Sequence, residues 1–295
     1  MGKQNKLLLF FILIIIAVEA ILFCFFNHRN NQKFIKQVQE QEKKQQLIIN
    51  KYANIPIQAK AFSVYDITEN KEIYGRNQYK RFPIASVVKT LTVLVVLDNK
   101  KLDDQIEIIK EDLAKEGDNG LLLNEKWKVS DLIKFTLIQS SNDGANALAR
   151  GDEKFLEKMN NKAETIGMTN FAFRNETGLD INEASSGAYA SAKDINQMNA
   201  YALKNFPEIF SNTAYSELKI KSNTGVTHNV QNTNILADKI PNLLFSKTGY
   251  TKLAGGNLSI ILKNKEGHEI AVTVLGSTMD GRFSDMEKLI NVILS

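Results

Sequence analysis

The order of polar and apolar positions divides the chain into stretches of different texture. Residues 7–26 read LLLFFILIIIAVEAILFCFF, an apolar run of 20 broken only by Glu19. As a helix at about 1.5 Å per residue it spans about 30 Å, the thickness of a bilayer core. It is longer than the apolar core of about 7–15 residues in a cleavable leader, and no A-x-A site closes it. Bulky Phe23 before Cys24 argues against a lipoprotein cysteine. The expectation is an uncleaved transmembrane signal anchor over 7–27, with a cytoplasmic tail at 1–6 and a polar helical stalk at 28–54. Lys3 and Lys6 precede the span, whereas His28, Arg29 and Lys33 follow it. Flanking charge alone therefore leaves its orientation open.

From residue 55 the pattern is globular. Lys60 to Asn77 predicts a β-hairpin turning at Thr68-Glu69-Asn70. The run Ser86 to Asp98, SVVKTLTVLVVLD, is apolar on nearly all sides and predicts a buried helix. Residues 99–200 are mostly helical by pattern, with helices over 129–140, 144–151, 153–166 and 191–203, the last capped by Ser191. A Gly/Ser/Asn-rich loop is expected over 175–191. Strands follow at 243–248, 257–264 and 269–277, and an amphipathic helix over 283–294 closes the chain. The implied fold is α/β (α+β). An antiparallel sheet combines the early hairpin with the late strands, helices flank it, and an all-helical lobe is inserted. A cleft between sheet and lobe is the natural site.

Composition narrows the partners. With 295 residues, 43% hydrophobic and 24% charged, the chain suits one large domain or two small ones plus an appendage. The net charge of +4 suits an anionic surface such as a wall or membrane. No Lys/Arg run with interleaved aromatics recommends nucleic acid. The single cysteine, Cys24, rules out a disulfide framework within the chain, and the three histidines (His28, His228, His268) lack metal-ligand spacing. No metal or cofactor is expected.

Candidate chemistry begins at Ser86 and Lys89. The i, i+3 spacing places both side chains on one helix face. A lysine desolvated by an apolar helix loses its proton more readily and can then take one from serine. Spacing alone is weak: Ser216 and Lys219 repeat it outside any apolar helix. Two later clusters change its weight, Ser140-Ser141-Asn142 and Lys247-Thr248-Gly249. The ordered set S-x-x-K, S-x-N, K-T-G resembles the established signature of penicillin-binding proteins and serine β-lactamases.

The flanking residues refine the resemblance. Pro83-Ile84-Ala85-Ser86, Asn175 to Leu179, Asn232 to Leu236, Ser246 to Thr251 and Val274 to Ser277 are similar to the D-alanyl-D-alanine carboxypeptidase family of low-molecular-mass penicillin-binding proteins. The similarity covers residues 55–295. It implies that Ser86 attacks the bond between two D-alanines, Lys89 accepts its proton and Ser140 relays a proton to the leaving amine. It further implies that Asn142 holds the substrate amide and Lys89, and that Lys247 and Thr248 bind the terminal carboxylate. Gly249 lets the strand edge approach the substrate, and the N–H groups of Ser86 and Tyr250 receive the oxyanion. The implied partners are peptidoglycan stem peptides ending in D-Ala-D-Ala and β-lactam antibiotics, met by a membrane-anchored domain outside the cytoplasm. Three rivals share the motifs: a class A-like β-lactamase using Glu176 to activate water, a DD-endopeptidase, and a silent wall-binding or β-lactam-sensing domain. Arg282 is a candidate for carboxylate binding, but as a helix-start residue it is expected on the surface.

Overall fold

The computed structural model describes residues 3–114, 117 and 120–295, the side chains of 3–22, 24–25, 44–45 and 114 excepted. The chain divides into two compact units, Met1–Asn54 and Ile55–Ser295. The first is a single helix, α1 (Lys3–Ala53). Most of the expected membrane span, 7–27, lies outside the described side chains. Among the described residues no helix is long and apolar enough to cross a membrane.

The second unit opens with β1 (Ala61–Asp66), β2 (Lys71–Arg76) and the two-residue β3 (Phe82–Pro83). A 3-10 turn over Ala85–Val88 leads into α2 (Lys89–Asn99), whose first eight residues are all buried. Then come β4 (Gln105–Glu107), β5 (Lys126–Lys128), α3 (Val129–Ile138), α4 (Asn142–Ala149) and α5 (Phe155–Ile166). Short strands β6 (Ala172–Phe173), β7 (Asp180–Asn182), β8 (Ser185–Ser186) and β9 (Ala188–Ala190) precede α6 (Ala192–Asn205) and α7 (Pro207–Phe210). The chain closes with β10 (Glu217–Lys221), β11 (Thr227–Gln231), β12 (Leu243–Thr251), β13 (Gly255–Lys263), β14 (Glu269–Ser277) and α8 (Gly281–Ile293).

The main sheet runs β12-β13-β14-β1-β2, antiparallel throughout, so the early hairpin does join the late strands. Seven successive residues of β13 are buried, because helices cover both faces. A buried polar seam ties the sheet to α6. Asn196 donates to Ser63 Oγ at 3.0 Å and accepts from Thr273 Oγ1 at 2.6 Å, while Asn199 donates to Ser259 Oγ at 2.7 Å. Ser63, Thr273 and Ser259 are cross-strand neighbours, so one row of hydroxyls meets one face of the helix. Such directional bonds fix where the helix sits along the sheet more tightly than apolar contact does.

Three expectations need correction. Among the described residues of 100–128 there is no α-helix, only a 3-10 turn at Asp112–Ala114, and β4 pairs with β5 as a hairpin. Each strand has only three residues, exposed-buried-exposed, too short to register as alternation, and its anchor is the fully buried Trp127. The stretch 175–191 is not all loop, since β7, β8 and β9 lie in it. Finally, β12 does not end at the Lys-Thr-Gly triplet but carries it mid-strand and continues to Thr251.

Candidate active site

Ser86 lies in the 3-10 turn rather than in α2, and Lys89 is the first α-helical residue. In a 3-10 turn residues i and i+3 eclipse, so the pair is closer than in an α-helix. Lys89 Nζ donates to Ser86 Oγ at 2.7 Å. Its other two donors go to Asn142 Oδ1 at 2.7 Å and to the Thr177 carbonyl at 2.8 Å. An ammonium has three N–H bonds, and all are used. Once neutral, the amine keeps two donors for Asn142 and Thr177, and its lone pair is left facing the serine hydroxyl. Burial lowers the Lys89 pKa from 10.5 to about 7, against the opposing charge of Glu176.

The turn that presents Ser86 is clasped by two glycines. Ala85 has φ +49°, a left-handed conformation that costs an L-residue about 1–2 kcal/mol. A Cβ on Gly178 would strike the Ala85 carbonyl oxygen. A Cβ on Gly249 would lie 2.5 Å from the Ile84 carbonyl oxygen and 3.2 Å from the Ser86 nitrogen. Only residues without side chains allow this approach. Asn175 holds the first glycine by accepting from the Gly178 N–H at 2.7 Å.

Ser140, Ser141 and Asn142 divide three tasks between adjacent residues. Ser140 takes φ +60°, which turns it out of the α3 exit. Ser141 caps α4, its Oγ accepting from the Gly144 N–H at 2.9 Å. Asn142 opens α4 and reaches Lys89. From β12, Lys247 Nζ donates to Ser140 Oγ at 2.7 Å and to the Thr248 carbonyl at 3.0 Å. Lys247 is as buried as Lys89. Burial, reinforced by the charges of Lys89 and Arg282, holds its pKa well below the usual lysine value. Tyr250, three residues further along the strand, is 48% exposed and open to the cleft. The decoy pair is dismissed by geometry, because Lys219 lies in strand β10, where i, i+3 side chains point to opposite faces.

Two residues contribute more than the sequence reading gave them. Thr233 Oγ1 hydrogen-bonds Thr248 Oγ1, while its N–H donates to the Ile138 carbonyl at 3.2 Å. Thr233 lies in the segment Asn232 to Leu236 that carries the family resemblance, but nothing in that segment marked its hydroxyl as the one that reaches Thr248. Arg282 is not on the surface: it is 7% exposed and its Nη1 donates to the Gly249 carbonyl at 3.0 Å. The correction has a simple cause, since the guanidinium satisfies the Gly249 carbonyl and its charge acts on Lys247. Glu176, the residue considered for water activation, offers its backbone carbonyl to Thr92 Oγ1 at 2.7 Å.

A serine hydroxyl on a buried lysine, with a second lysine behind another serine on a sheet edge, is equipment for acyl transfer through a serine ester. The D-alanyl-D-alanine carboxypeptidase family matches residues 46–278, and the chain belongs to it. It is 30% identical over 249 residues to D-alanyl-D-alanine carboxypeptidase DacF of Bacillus subtilis, covering 81% of this chain and 62% of that one. It is 31% identical over 247 residues to a D-alanyl-D-alanine endopeptidase of Haemophilus influenzae, covering 78% and 80%. Among solved structures it resembles penicillin-binding protein D2 of Listeria monocytogenes in its ampicillin-bound form. There the TM-score is 0.72 at 27% identity, over 81% of this chain and 99% of that one. The mixed α/β fold is thus the penicillin-binding one.

Proposed function

We propose that the chain is a serine DD-carboxypeptidase that removes the terminal D-alanine from peptidoglycan stem peptides. The observation that carries this reading is the 2.7 Å contact between Ser86 Oγ and a fully buried lysine whose pKa falls to about 7. Neutral Lys89 takes the hydroxyl proton as Ser86 Oγ bonds to the carbonyl carbon of the penultimate D-alanine. The oxyanion is received by the N–H groups of Ser86 and Tyr250, each such donor being worth about 3–4 kcal/mol. The C–N bond then breaks. Ser140, bonded to Lys247, gives its hydroxyl proton to the leaving amine and is reprotonated by the proton that Lys89 took from Ser86. Lys247, Thr248 and Thr233 bind the terminal carboxylate. Water attacks the resulting ester, takes the acyl group and returns a proton, which regenerates Ser86. A β-lactam acylates the same serine, in keeping with the ampicillin-bound relative.

A second reading, endopeptidase cleavage of peptide cross-links, is favoured by one observation: the chain spans 80% of the Haemophilus endopeptidase but 62% of the Bacillus carboxypeptidase. The apolar run 7–26 supports a single-pass membrane anchor with a cytoplasmic tail, a stalk over 28–54 and the catalytic unit outside the cell. The test is D-alanine release from a pentapeptide ending in D-Ala-D-Ala beside cleavage of a cross-linked dimer. Ser86→Ala is expected to abolish either activity and penicillin labelling. Near-full activity in that variant would sink the mechanism, and rapid penicillin turnover by the native chain would favour a β-lactamase.

A further inference from the structure

At the end of the sheet remote from β12, a separate cavity of about 430 Å³ opens where the β1–β2 hairpin meets α6. It is lined by Tyr65 of β1, Asn70 of the hairpin turn, Glu72 of β2, Tyr79 just beyond β2, and Lys193 and Gln197 of α6. Its size falls among small-ligand pockets, which run from about 300 to 1,000 Å³. With neighbouring strands about 4.8 Å apart, β2 lies about 19 Å from β12, so a ligand here leaves the catalytic cleft open.

Two aromatic rings are set in place before any ligand arrives. Lys193 Nζ lies over one face of the Tyr79 ring, 5.4 Å from its centroid, yet Tyr79 stays 51% exposed. Its hydroxyl donates to Glu72 Oε2 at 2.7 Å, and Gln78 Nε2 steadies the same carboxylate by donating to Oε1 at 2.7 Å. The Tyr65 hydroxyl donates to Asn70 Oδ1. The loop that carries Tyr79 is tied to the start of α6, where the Lys193 N–H donates to the Gln78 carbonyl at 3.0 Å. A tyrosine held by its hydroxyl offers an apolar ring face beside polar groups.

The polar groups left over complement an amide. Lys193 has no ion-pair partner among the described residues. Gln197 gives its Nε2 to the Ile166 carbonyl at 2.7 Å, which leaves Oε1 as an acceptor. Lys193 and Gln197 stand i, i+4 on α6, so a donor and an acceptor share one helix face, one turn apart. An acetamido group satisfies both, its carbonyl toward Lys193 and its N–H toward Gln197. The two charged lining residues, Glu72 and Lys193, have opposite signs, so the cavity does not gather a polyanion.

We propose that this cavity binds an N-acetylated amino sugar and so holds a strand of wall glycan apart from the cleft. Tyr79 stacks on the apolar face of the sugar ring, Asn70 Nδ2 donates to a ring hydroxyl, and Lys193 and Gln197 take the acetamido group. The sugar chemistry stands on the cavity; the wall as its source rests on the peptidase reading. The test is calorimetric titration of the full chain, in a detergent without a sugar headgroup, with a peptide-free tetramer of N-acetylglucosamine. A Kd of about 1 mM or tighter is expected. The glucose tetramer of the same linkage, and the Tyr79→Ala chain with the acetylated tetramer, are each expected to bind about tenfold more weakly. Gln197→Ala should narrow the difference between the two sugars, Ser86→Ala should bind as the native chain does, and each variant should keep a cooperative thermal melt. No binding of the acetylated tetramer, equal binding of the two tetramers, undiminished binding by Tyr79→Ala, or tighter binding of polyglycerol phosphate would overturn the proposal. Absence of D-alanine release from the pentapeptide would overturn the peptidase reading and leave the sugar site standing.

Discussion

Lys89 sets a pH dependence that can be worked out from its surroundings. An ordinary lysine, with a pKa of 10.5, is neutral about once in three thousand molecules at pH 7. Burial lowers Lys89 to about 7, which makes about half of the molecules competent as a base. The difference is worth about 5 kcal/mol of availability, at about 1.4 kcal/mol per tenfold. Acylation needs the neutral form, so its rate constant rises about tenfold per pH unit below 7 and flattens above it. In the proposed mechanism carboxylate binding needs Lys247 charged, and its lowered pKa brings the falling limb in below the usual lysine range. The assay is stopped-flow acylation by a fluorescent penicillin between pH 5 and 10, with substrate well below saturation so that free-enzyme groups are reported. Lys89→Arg keeps the charge but cannot lose its proton, and is expected to acylate about a thousandfold more slowly. A rising limb near pH 10, or a Lys89→Arg chain within tenfold of the native rate, would refute a lysine base.

Arg282→Met removes one of the charges that depress Lys247, so the falling limb of the same pH profile should move to higher pH while KM for the peptide rises. A limb that stays put would mean that Arg282 acts only through the Gly249 carbonyl. Gly249→Ala forces a methyl against the Ile84 carbonyl and should cost about 1–3 kcal/mol of stability, read by thermal melting, together with slower acylation. Asp285 is fully buried and accepts from the Gln58 and Ala59 N–H groups and from Ser277 Oγ. Asp285→Ala strands those donors and should cost about 3 kcal/mol by denaturant titration. A loss below about 1 kcal/mol would show that water replaces the carboxylate.

Residue identity, rather than periodicity, made the centre legible. Ser86, Lys89, Ser140, Asn142 and Lys247 are polar residues at the edges of apolar runs, and the fold draws them within hydrogen-bond reach. The long strands β13 and β14 were readable for a different reason: their apolar runs exceed what a loop tolerates. What stayed hidden depends on backbone geometry or on partners remote in the chain. Nothing in the sequence announces that Ser140 adopts a left-handed φ, because its tension is held by Ser141 capping and by Lys247, 107 residues away. Arg282 looked like a solvated helix start because its partner, the Gly249 carbonyl, lies 33 residues earlier. The β4–β5 hairpin was missed because one buried tryptophan does the anchoring that a longer alternating strand would advertise.

The place of β1 in the sheet bears on how the protein comes into being. β1 lies between β2, its hairpin partner, and β14, so it waits with one edge unpaired for a strand made more than two hundred residues later. The wait is prolonged at its approach, where the Gln58 N–H meets Asp285 across a separation of 227 residues. Closing so long a loop is slow, and an open strand edge invites pairing with other chains. Assembly is therefore a last-in event: a nascent chain halted anywhere before β14 holds an unfinished sheet. On the proposed function, penicillin labelling becomes a clock for folding, because only a chain that has drawn β1 and β14 together can carry the label.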